Sequence, residues 1–140
     1  MTDKQHTDLS TYVRTLADML GLKDAVVEIS RDEPEREDCA ANVRGVPGRK
    51  FWSVSFGPRF WEMTADDKRE TIVHELLHCH MDPALDHVRT DLYENRIVGH
   101  QQYVLIYDAM LRTFEVGIDG IAHAIACHFP LPEWGEDGTK

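Results

Sequence analysis

The sequence predicts an α+β fold in which an N-terminal helix precedes a short three-stranded sheet and then long helices. Apolar residues recur at helical spacing near the amino terminus, alternate with polar residues between positions 25 and 56, and return to helical spacing after position 64. The chain has 140 residues, of which 42% are apolar. This length suits one compact core, so residues 1–140 are predicted to form a single domain.

Composition narrows the possible partners. The formal net charge of −10 disfavours binding to a phosphate backbone, which requires a basic face. There is no run of 18 apolar residues and no apolar signal-peptide core, so we expect a cytoplasmic protein without a membrane partner. The three cysteines lack C-x-x-C spacing, which argues against a disulfide framework or a cysteine zinc site. Small molecules or protein segments are the expected partners.

The first element is predicted as an amphipathic helix from about Asp8 to Leu20, ended by Gly21. Its apolar residues lie on one stripe that packs against the core: Leu9, Tyr12, Val13, Leu16 and Leu20.

Three short segments are predicted as strands. AVVEIS, from Ala25, alternates as a half-buried strand does, and CAANVRG is a weaker candidate. Pro47 and Gly48 then supply a turn into KFWSVSF. In that segment the core-facing residues are Trp52, Val54 and Phe56, and the serines between them face outward.

The next helix contains the stretch TIVHELLHCH. Thr64, with acids at positions 66 and 67, resembles a helix N-cap with favourable charges in the first turn. The helix is predicted to run to about His80 and to end at Asp82 and Pro83. Its apolar stripe consists of Ile72, Val73, Leu76 and Leu77.

His74 and His78 are four residues apart on this helix, so their imidazoles project from the same side and can share a metal ion. Glu75 is about 100° further round, where its carboxylate can reach a water on that ion. This is the HExxH arrangement, and zinc suits it because a third donor leaves a fourth position for water. His80 is about 200° from His78 and is predicted to be a helix-end residue outside the site.

The third ligand must come from elsewhere in the chain. The pattern HExxHxxGxxH requires Gly at 81 and His at 84, where this chain has Met81 and Ala84. A three-histidine hydrolase pattern also requires histidine at 84, and it lacks the glutamate after the first histidine, so it fits less well. Glu115 and Asp119 are four apart on a predicted later helix, and either a carboxylate or a histidine could serve. Besides Glu115, the candidates are Asp119, His123, His100 and His87.

That later helical stretch runs from about Tyr93 to Cys127, either as one helix or as two helices divided at Gly99. An apolar stripe repeats along it: Ile97, Val104, Leu111, Ile118 and Ile125. Gly117 and Gly120 each cost about 1 kcal/mol in a helix interior, and a close approach to another helix would explain them. The tail from Phe129 onward is expected to be a loosely packed end.

HELLH followed by Glu115-x-x-x-Asp119 resembles the gluzincin branch of the zinc metallopeptidases, and most closely the small zincin-like proteins of bacteriophage and bacterial genomes. The resemblance covers roughly residues 50–128. It implies a minimal zincin-like fold in which the HExxH helix packs against a second helix that bears the glutamate. It also implies that His74, His78 and Glu115 bind one zinc ion, with Asp119 orienting a ligand.

The resemblance further implies hydrolysis of a peptide bond, with Glu75 as the general base that takes a proton from a zinc-activated water. The substrate would be a peptide or protein segment paired with the exposed edge of the KFWSVSF strand. No position matches the family's oxyanion-stabilising residue. Four side chains are chemically suitable for that role: Tyr103, Tyr107, His100 and Arg112.

Two other interpretations stay open. A noncatalytic zinc-binding module would keep the histidines for folding, although structural sites usually have four protein ligands and Glu75 would then have no role. A helical interaction protein would use the apolar stripe as an oligomer interface, with HELLH arising by chance. The oligomeric state and the identity of the substrate do not follow from the sequence.

Overall fold

A computed structural model of the protein describes residues 1–34 and 38–134. The α+β class and the predicted order of elements are confirmed. The elements are α1 (Asp3–Met19), β1 (Val26–Ile29), β2 (Ala41–Gly45), β3 (Phe51–Phe56), α2 (Pro58–Glu62), α3 (Ala65–His87), a π-helical segment (Val88–Glu94), α4 (His100–Ile125) and a 3-10 turn (Ala126–His128). None of the helices in these described ranges is long and apolar enough to cross a membrane.

Helix α1 begins earlier than predicted because of a capping box. The backbone N–H of Gln5 donates to Thr2 Oγ1 at 3.2 Å, and the Thr2 N–H donates to Gln5 Oε1 at 2.8 Å. Together these bonds satisfy donors that the first helical turn leaves unpaired. The apolar stripe faces the core as predicted, with Leu9 and Leu16 fully buried, and the left-handed Gly21 (φ 83°) follows the helix.

Strand β3 is the middle strand of the sheet. It runs parallel to β1 and antiparallel to β2, in the spatial order β1-β3-β2. Trp52, Val54 and Phe56 are buried as predicted. The prediction of an exposed edge on KFWSVSF is wrong, because both edges of β3 are paired and the edge strands are β1 and β2. Alternation identifies the buried face of a strand, whereas the order of the strands depends on tertiary packing.

Helix α3 begins as predicted at the N-cap Thr64, whose Oγ1 accepts from the backbone N–H of Asp67 at 3.2 Å. Its stripe from Ile72 to Leu77 is buried. The predicted end at Pro83 is wrong, because the helix continues to His87 and passes into the π-helical segment. A proline removes one helical hydrogen bond. Burial of Leu85 and Val88 beyond it offsets that loss.

Helix α4 starts after its N-cap Gly99, where an interruption was predicted. The predicted stripe is fully buried only towards the C-terminal half, at Ile118, which is joined there by Ala122. Gly117 and Gly120 do not make the predicted close approach: a Cβ atom added to either would meet nothing within 4 Å. Helix α4 therefore packs through Ile118 and Ala122, and both glycines face open space.

The segment after α4 is held against α1 and α3, contrary to the expected loose end. The Tyr12 hydroxyl donates to the Pro130 carbonyl at 2.7 Å, and Arg69 Nη1 donates to the Phe129 carbonyl at 3.1 Å. The indole ring of Trp134 meets the ring of Tyr12 edge-on, with 5.0 Å between the centroids. The expectation for residues 135–140 lies outside the described residues.

Candidate metal centre

Helices α3 and α4 lie side by side in opposite directions and face each other through polar residues spaced four apart. We call this row the polar seam, and its three pairs are His78 Nε2–Glu115 Oε1 at 3.5 Å, His74 Nδ1–Asp119 Oδ1 at 2.9 Å and His123 Nδ1–Glu70 Oε1 at 3.3 Å. Residues four apart stack on one face of a helix, so each step along α3 is matched by one step along α4. The seam therefore follows directly from helical periodicity.

Three side chains of the seam converge on one point. His74 Nε2 lies 3.1 Å from His78 Nε2 and 3.5 Å from Glu115 Oε2. His78 Nε2 lies 3.5 Å from Glu115 Oε1. All three ligand atoms lie within 4.8 Å of one another, and no other group of three such residues does so within residues 1–34 and 38–134. This arrangement can hold a metal ion.

Burial shapes the chemistry of His78. Its side chain is only 11% exposed. Burial lowers the pKa of His78, an effect that the positive charge of His74 reinforces and the charges of Glu115 and Asp119 oppose. The neutral imidazole, which is the form that binds a metal, is thereby favoured.

Glu75 is buried beside the three converging side chains, with 7% of its surface exposed. Burial raises its pKa to about 8; the negative charge of Glu115 adds to this rise, and a hydrogen bond from the backbone of Val43 opposes it. Glu75 therefore lies between the edge strand β2 and the converging histidines. The structure places it next to the candidate ligands without making it one of them.

Asp119 contacts His74 on the ring nitrogen opposite the point of convergence. The Nδ1–Oδ1 distance of 2.9 Å is that of a charge-assisted hydrogen bond. Because a carboxylate can only accept, the bond places the proton on Nδ1 and leaves the Nε2 lone pair free. This is the position predicted for an orienting acid.

The other candidate histidines lie away from this point. His80 Nε2 contacts the Leu20 carbonyl at 3.0 Å, and His87 pairs with Asp91 at 3.0 Å. The ring of His100 packs near Tyr93, with 5.7 Å between the centroids. His123 belongs to the seam but contacts Glu70 instead of the converging groups.

Two depressions flank the candidate metal centre, and both are bounded by β2. One of about 590 Å³ contains the three converging side chains and Glu75, and it is also lined by Tyr107 and Arg112. The other, of about 740 Å³, extends past His74 towards Glu70 and His123. Of the four side chains considered for oxyanion stabilisation, Tyr107 and Arg112 line the first depression, whereas Tyr103 stacks on Tyr93 at 4.6 Å.

The pair Glu70–His123 was not identified from the sequence. Each residue continues the four-residue spacing of its helix. Glu70 precedes His74 by four residues, and His123 follows Asp119 by four residues. Extending the four-residue spacing in both directions from HELLH and from Glu115 would have found the pair.

Comparison with protein-family models, with curated proteins and with solved structures gave no match. The chemistry of this centre must therefore be interpreted from its own residues.

Proposed function

We propose that the protein is a zinc-dependent metallopeptidase that hydrolyses a peptide bond. The observation that carries this proposal is the convergence of His74, His78 and Glu115, with Glu75 beside them in an open groove. HELLH together with Glu115 and Asp119 also supports placing the chain among the small zincin-like proteins of the gluzincin type. The cytoplasmic location and the absence of a nucleic-acid partner stay predictions.

The donor spacing supports zinc as the metal. Two ligand atoms that each lie 2.0–2.1 Å from a tetrahedral zinc ion are about 3.3 Å apart. His74 Nε2 and His78 Nε2 are 3.1 Å apart, and each lies 3.5 Å from a different carboxylate oxygen of Glu115. Two imidazoles and one carboxylate are also a ligand set typical of catalytic zinc. When bound, zinc would supply Lewis acidity that lowers the pKa of a water and polarises a carbonyl.

Glu75 has the position required of a general base. It follows His74 directly, so its carboxylate lies beside the ligands and can take a proton from the attacking water. That carboxylate accepts a hydrogen bond from the backbone of Val43, and both residues line the same depression. Glu75 then delivers the proton to the leaving amine, which allows the C–N bond to break.

Tyr107 is the best-placed side chain to stabilise the oxyanion. It lines the same 590 Å³ depression as Glu75 and the three ligands. Burial raises the pKa of Tyr107, with smaller effects of the same sign from Tyr103, Asp82 and Asp86, while Arg89 opposes them. The phenol therefore keeps its proton at neutral pH and can donate it in a hydrogen bond to developing negative charge.

The groove favours an extended peptide as the substrate. Three neighbouring depressions follow β2, from Cys39 beside His74 to Pro47 beside Asp82, and adjoining depressions share lining residues. Since β2 is an edge strand, such a peptide would pair with its outer edge at positions other than Val43, whose backbone already bonds Glu75. The edge strand proposed for the substrate is therefore β2, in place of KFWSVSF.

A noncatalytic zinc module is less well supported. Structural zinc sites usually have four protein ligands. In the part of the chain that the structure describes, the convergent group contains three. A fourth position open to the groove is the arrangement that a catalytic site needs.

The test is a comparison of wild-type protein with Glu75→Gln, with Glu62→Gln as a control on the exposed end of α2. We expect one zinc ion per chain in all three proteins by elemental analysis. Hydrolysis of a mixed peptide library, followed by mass spectrometry, should be lost only in Glu75→Gln.

Unchanged hydrolysis in Glu75→Gln would refute the catalytic role of this residue. Absence of bound metal, together with an unfolding midpoint that a chelator does not shift, would instead favour the helical interaction protein.

A further inference from the structure

Arg112 lies on α4 one turn before Glu115 and lines the depression that contains the candidate metal centre. Its side chain has no hydrogen bond or ion pair with any residue in the described ranges 1–34 and 38–134. An arginine side chain carries five N–H donors in a planar fork and stays charged at all physiological pH values. The donors of Arg112 therefore have no protein acceptor among the described residues, and the residue lines the depression.

The carboxylates of this depression have other partners. The oxygens of Glu115 are directed to His74 and His78. Asp82 accepts from the indole N–H of Trp52 at 2.6 Å. Glu75 accepts from the backbone of Val43. Arg112 is thus the one cationic side chain that lines this depression within the described residues.

The depression on the other side of the candidate metal centre also contains an arginine, Arg59. Its acids Asp67, Glu70 and Asp119 are already bonded, to Thr64 at 2.8 Å, to His123 at 3.3 Å and to His74 at 2.9 Å respectively. Of the three converging side chains, however, only His74 lines that depression, whereas all three line the depression of Arg112. Arg112 is therefore the arginine on the side that contains the whole candidate metal centre.

We propose that Arg112 binds a carboxylate of the peptide substrate and so selects substrates with an acidic group on its side of the scissile bond. This inference rests on the proposed peptidase function. The carboxylate can belong to an aspartate or glutamate side chain or to the peptide's C-terminus, because both match the bidentate fork of a guanidinium. The chain carries a net charge of −10, so an acidic peptide gains a local attraction at Arg112 against a repulsive background.

The experiment uses zinc-loaded protein and matched fluorogenic peptides. In the first set, the two members of each pair differ only in carrying Asp or Asn at one position, and the positions on both sides of the cleaved bond are tested in turn. In the second set, the two members of each pair differ only in having a free or an amidated C-terminus. The proteins are the wild type, Arg112→Gln, Arg112→Lys and the control Lys23→Gln, which changes an exposed charge that lines neither depression. Preference for the Asp set identifies a side-chain carboxylate, and preference for the free acid identifies the C-terminus.

We expect wild-type kcat/KM to favour the carboxylate peptide about tenfold over its uncharged partner, mainly through KM. Arg112→Gln should remove that preference and leave the uncharged peptides unaffected, Arg112→Lys should restore part of it, and Lys23→Gln should retain it. Equal cleavage of both members of each set by the wild type would overturn the inference while leaving the peptidase function intact. A uniform fall in kcat for all peptides in Arg112→Gln would overturn it too, since that result indicates oxyanion stabilisation.

Binding of the same peptides to zinc-loaded Glu75→Gln, with and without Arg112→Gln, provides a readout that does not need catalysis. Fluorescence anisotropy should show the same carboxylate preference, and it should disappear with Arg112→Gln. Equal affinity for both members of each set would refute carboxylate binding. Absence of cleavage by the wild type would refute the peptidase function instead, and the inference with it.

Discussion

The Nδ1 atom of His74 lies 2.9 Å from Oδ1 of Asp119, while Nε2 of the same ring lies 3.1 Å from Nε2 of His78. The ring is therefore held on one side by α4 and directed on the other side to the candidate metal centre. A carboxylate at Nδ1 fixes the tautomer and increases the basicity of Nε2. This relationship predicts that Asp119 would strengthen metal binding, although it is not among the three convergent side chains.

Asp119→Ala should weaken zinc binding about 10- to 100-fold, because the ring of His74 loses its orienting acceptor. Competition with a chromogenic chelator would measure the change. Asp108→Ala, on the exposed surface of the same helix, is the control and should bind zinc as the wild type does. An unchanged affinity in Asp119→Ala would show that His74 is positioned by other contacts.

Glu115→Ala should lower zinc affinity more than Asp119→Ala does, because it removes a ligand atom instead of a partner of a ligand. Glu70→Ala is the matched control, since Glu70 is also an acid of the polar seam but lies outside the convergent group. The zinc content after dialysis would be measured by elemental analysis. Stoichiometric zinc that persists in Glu115→Ala would refute Glu115 as the third ligand.

Gly117→Ala and Gly120→Ala should each stabilise the protein by about 0.5–1 kcal/mol, because alanine restricts the unfolded chain and favours helix. An added Cβ meets nothing within 4 Å at either position. Urea unfolding of the metal-free protein would measure the gain. Gly45→Ala is the contrasting variant, since its Cβ would lie 2.7 Å from Asp82 Oδ2 and 2.9 Å from Trp52 Nε1, and it should destabilise the protein. Destabilisation by either helix substitution would contradict this prediction, because it would indicate that the added Cβ makes a close contact.

Asp82→Asn should become more stable relative to the wild type as pH rises from about 4 to 7. Burial raises the pKa of Asp82, the charge of Asp86 adds to the rise, and the hydrogen bond from Trp52 opposes it. The folded state thus binds this proton more tightly than the unfolded state. The stabilisation from the protonated Asp82 is complete below the pKa that this carboxyl has in the unfolded chain, and it is lost as pH rises through its pKa in the folded protein. Asparagine does not titrate and so avoids this loss. Its side-chain oxygen can still accept the hydrogen bond from Trp52.

Urea unfolding of the metal-free protein at several pH values would measure this difference. Asp24→Asn, in the exposed turn after α1, serves as the control and should show no such trend. A difference between Asp82→Asn and the wild type that does not change with pH would contradict the prediction.

The parts of the fold that depend on local periodicity could be predicted from the sequence. Helical spacing identified the buried stripe from Ile72 to Leu77, and alternation identified the buried face of β3. The same spacing predicted that Glu115 and Asp119 share one face of a later helix, and in the structure that face contacts the HELLH helix. These features follow from where side chains project along a single element.

The predictions that were wrong concern features that depend on contacts between secondary-structure elements. Pro83 is a local helix breaker, but packing of Leu85 beyond it keeps α3 intact. The central position of β3 is fixed by its two neighbouring strands, which no pattern within KFWSVSF encodes. Gly117 and Gly120 have no packing explanation in the structure. Nor could spacing select Arg112, since its position beside the candidate metal centre depends on how α3, α4 and β2 pack together.

The polar seam has a consequence for rigidity. Helix α4 spans His100–Ile125, yet only Ile118 and Ala122 of this helix are fully buried. A metal ion held by His74, His78 and Glu115 would act as a cross-link between two segments that are distant in the chain, much as a disulfide does. Loading with metal would then fasten the middle of α4 to α3. Its removal would leave that helix held by Ile118 and Ala122 in its C-terminal half and by the stacking of Tyr103 on Tyr93 near its start.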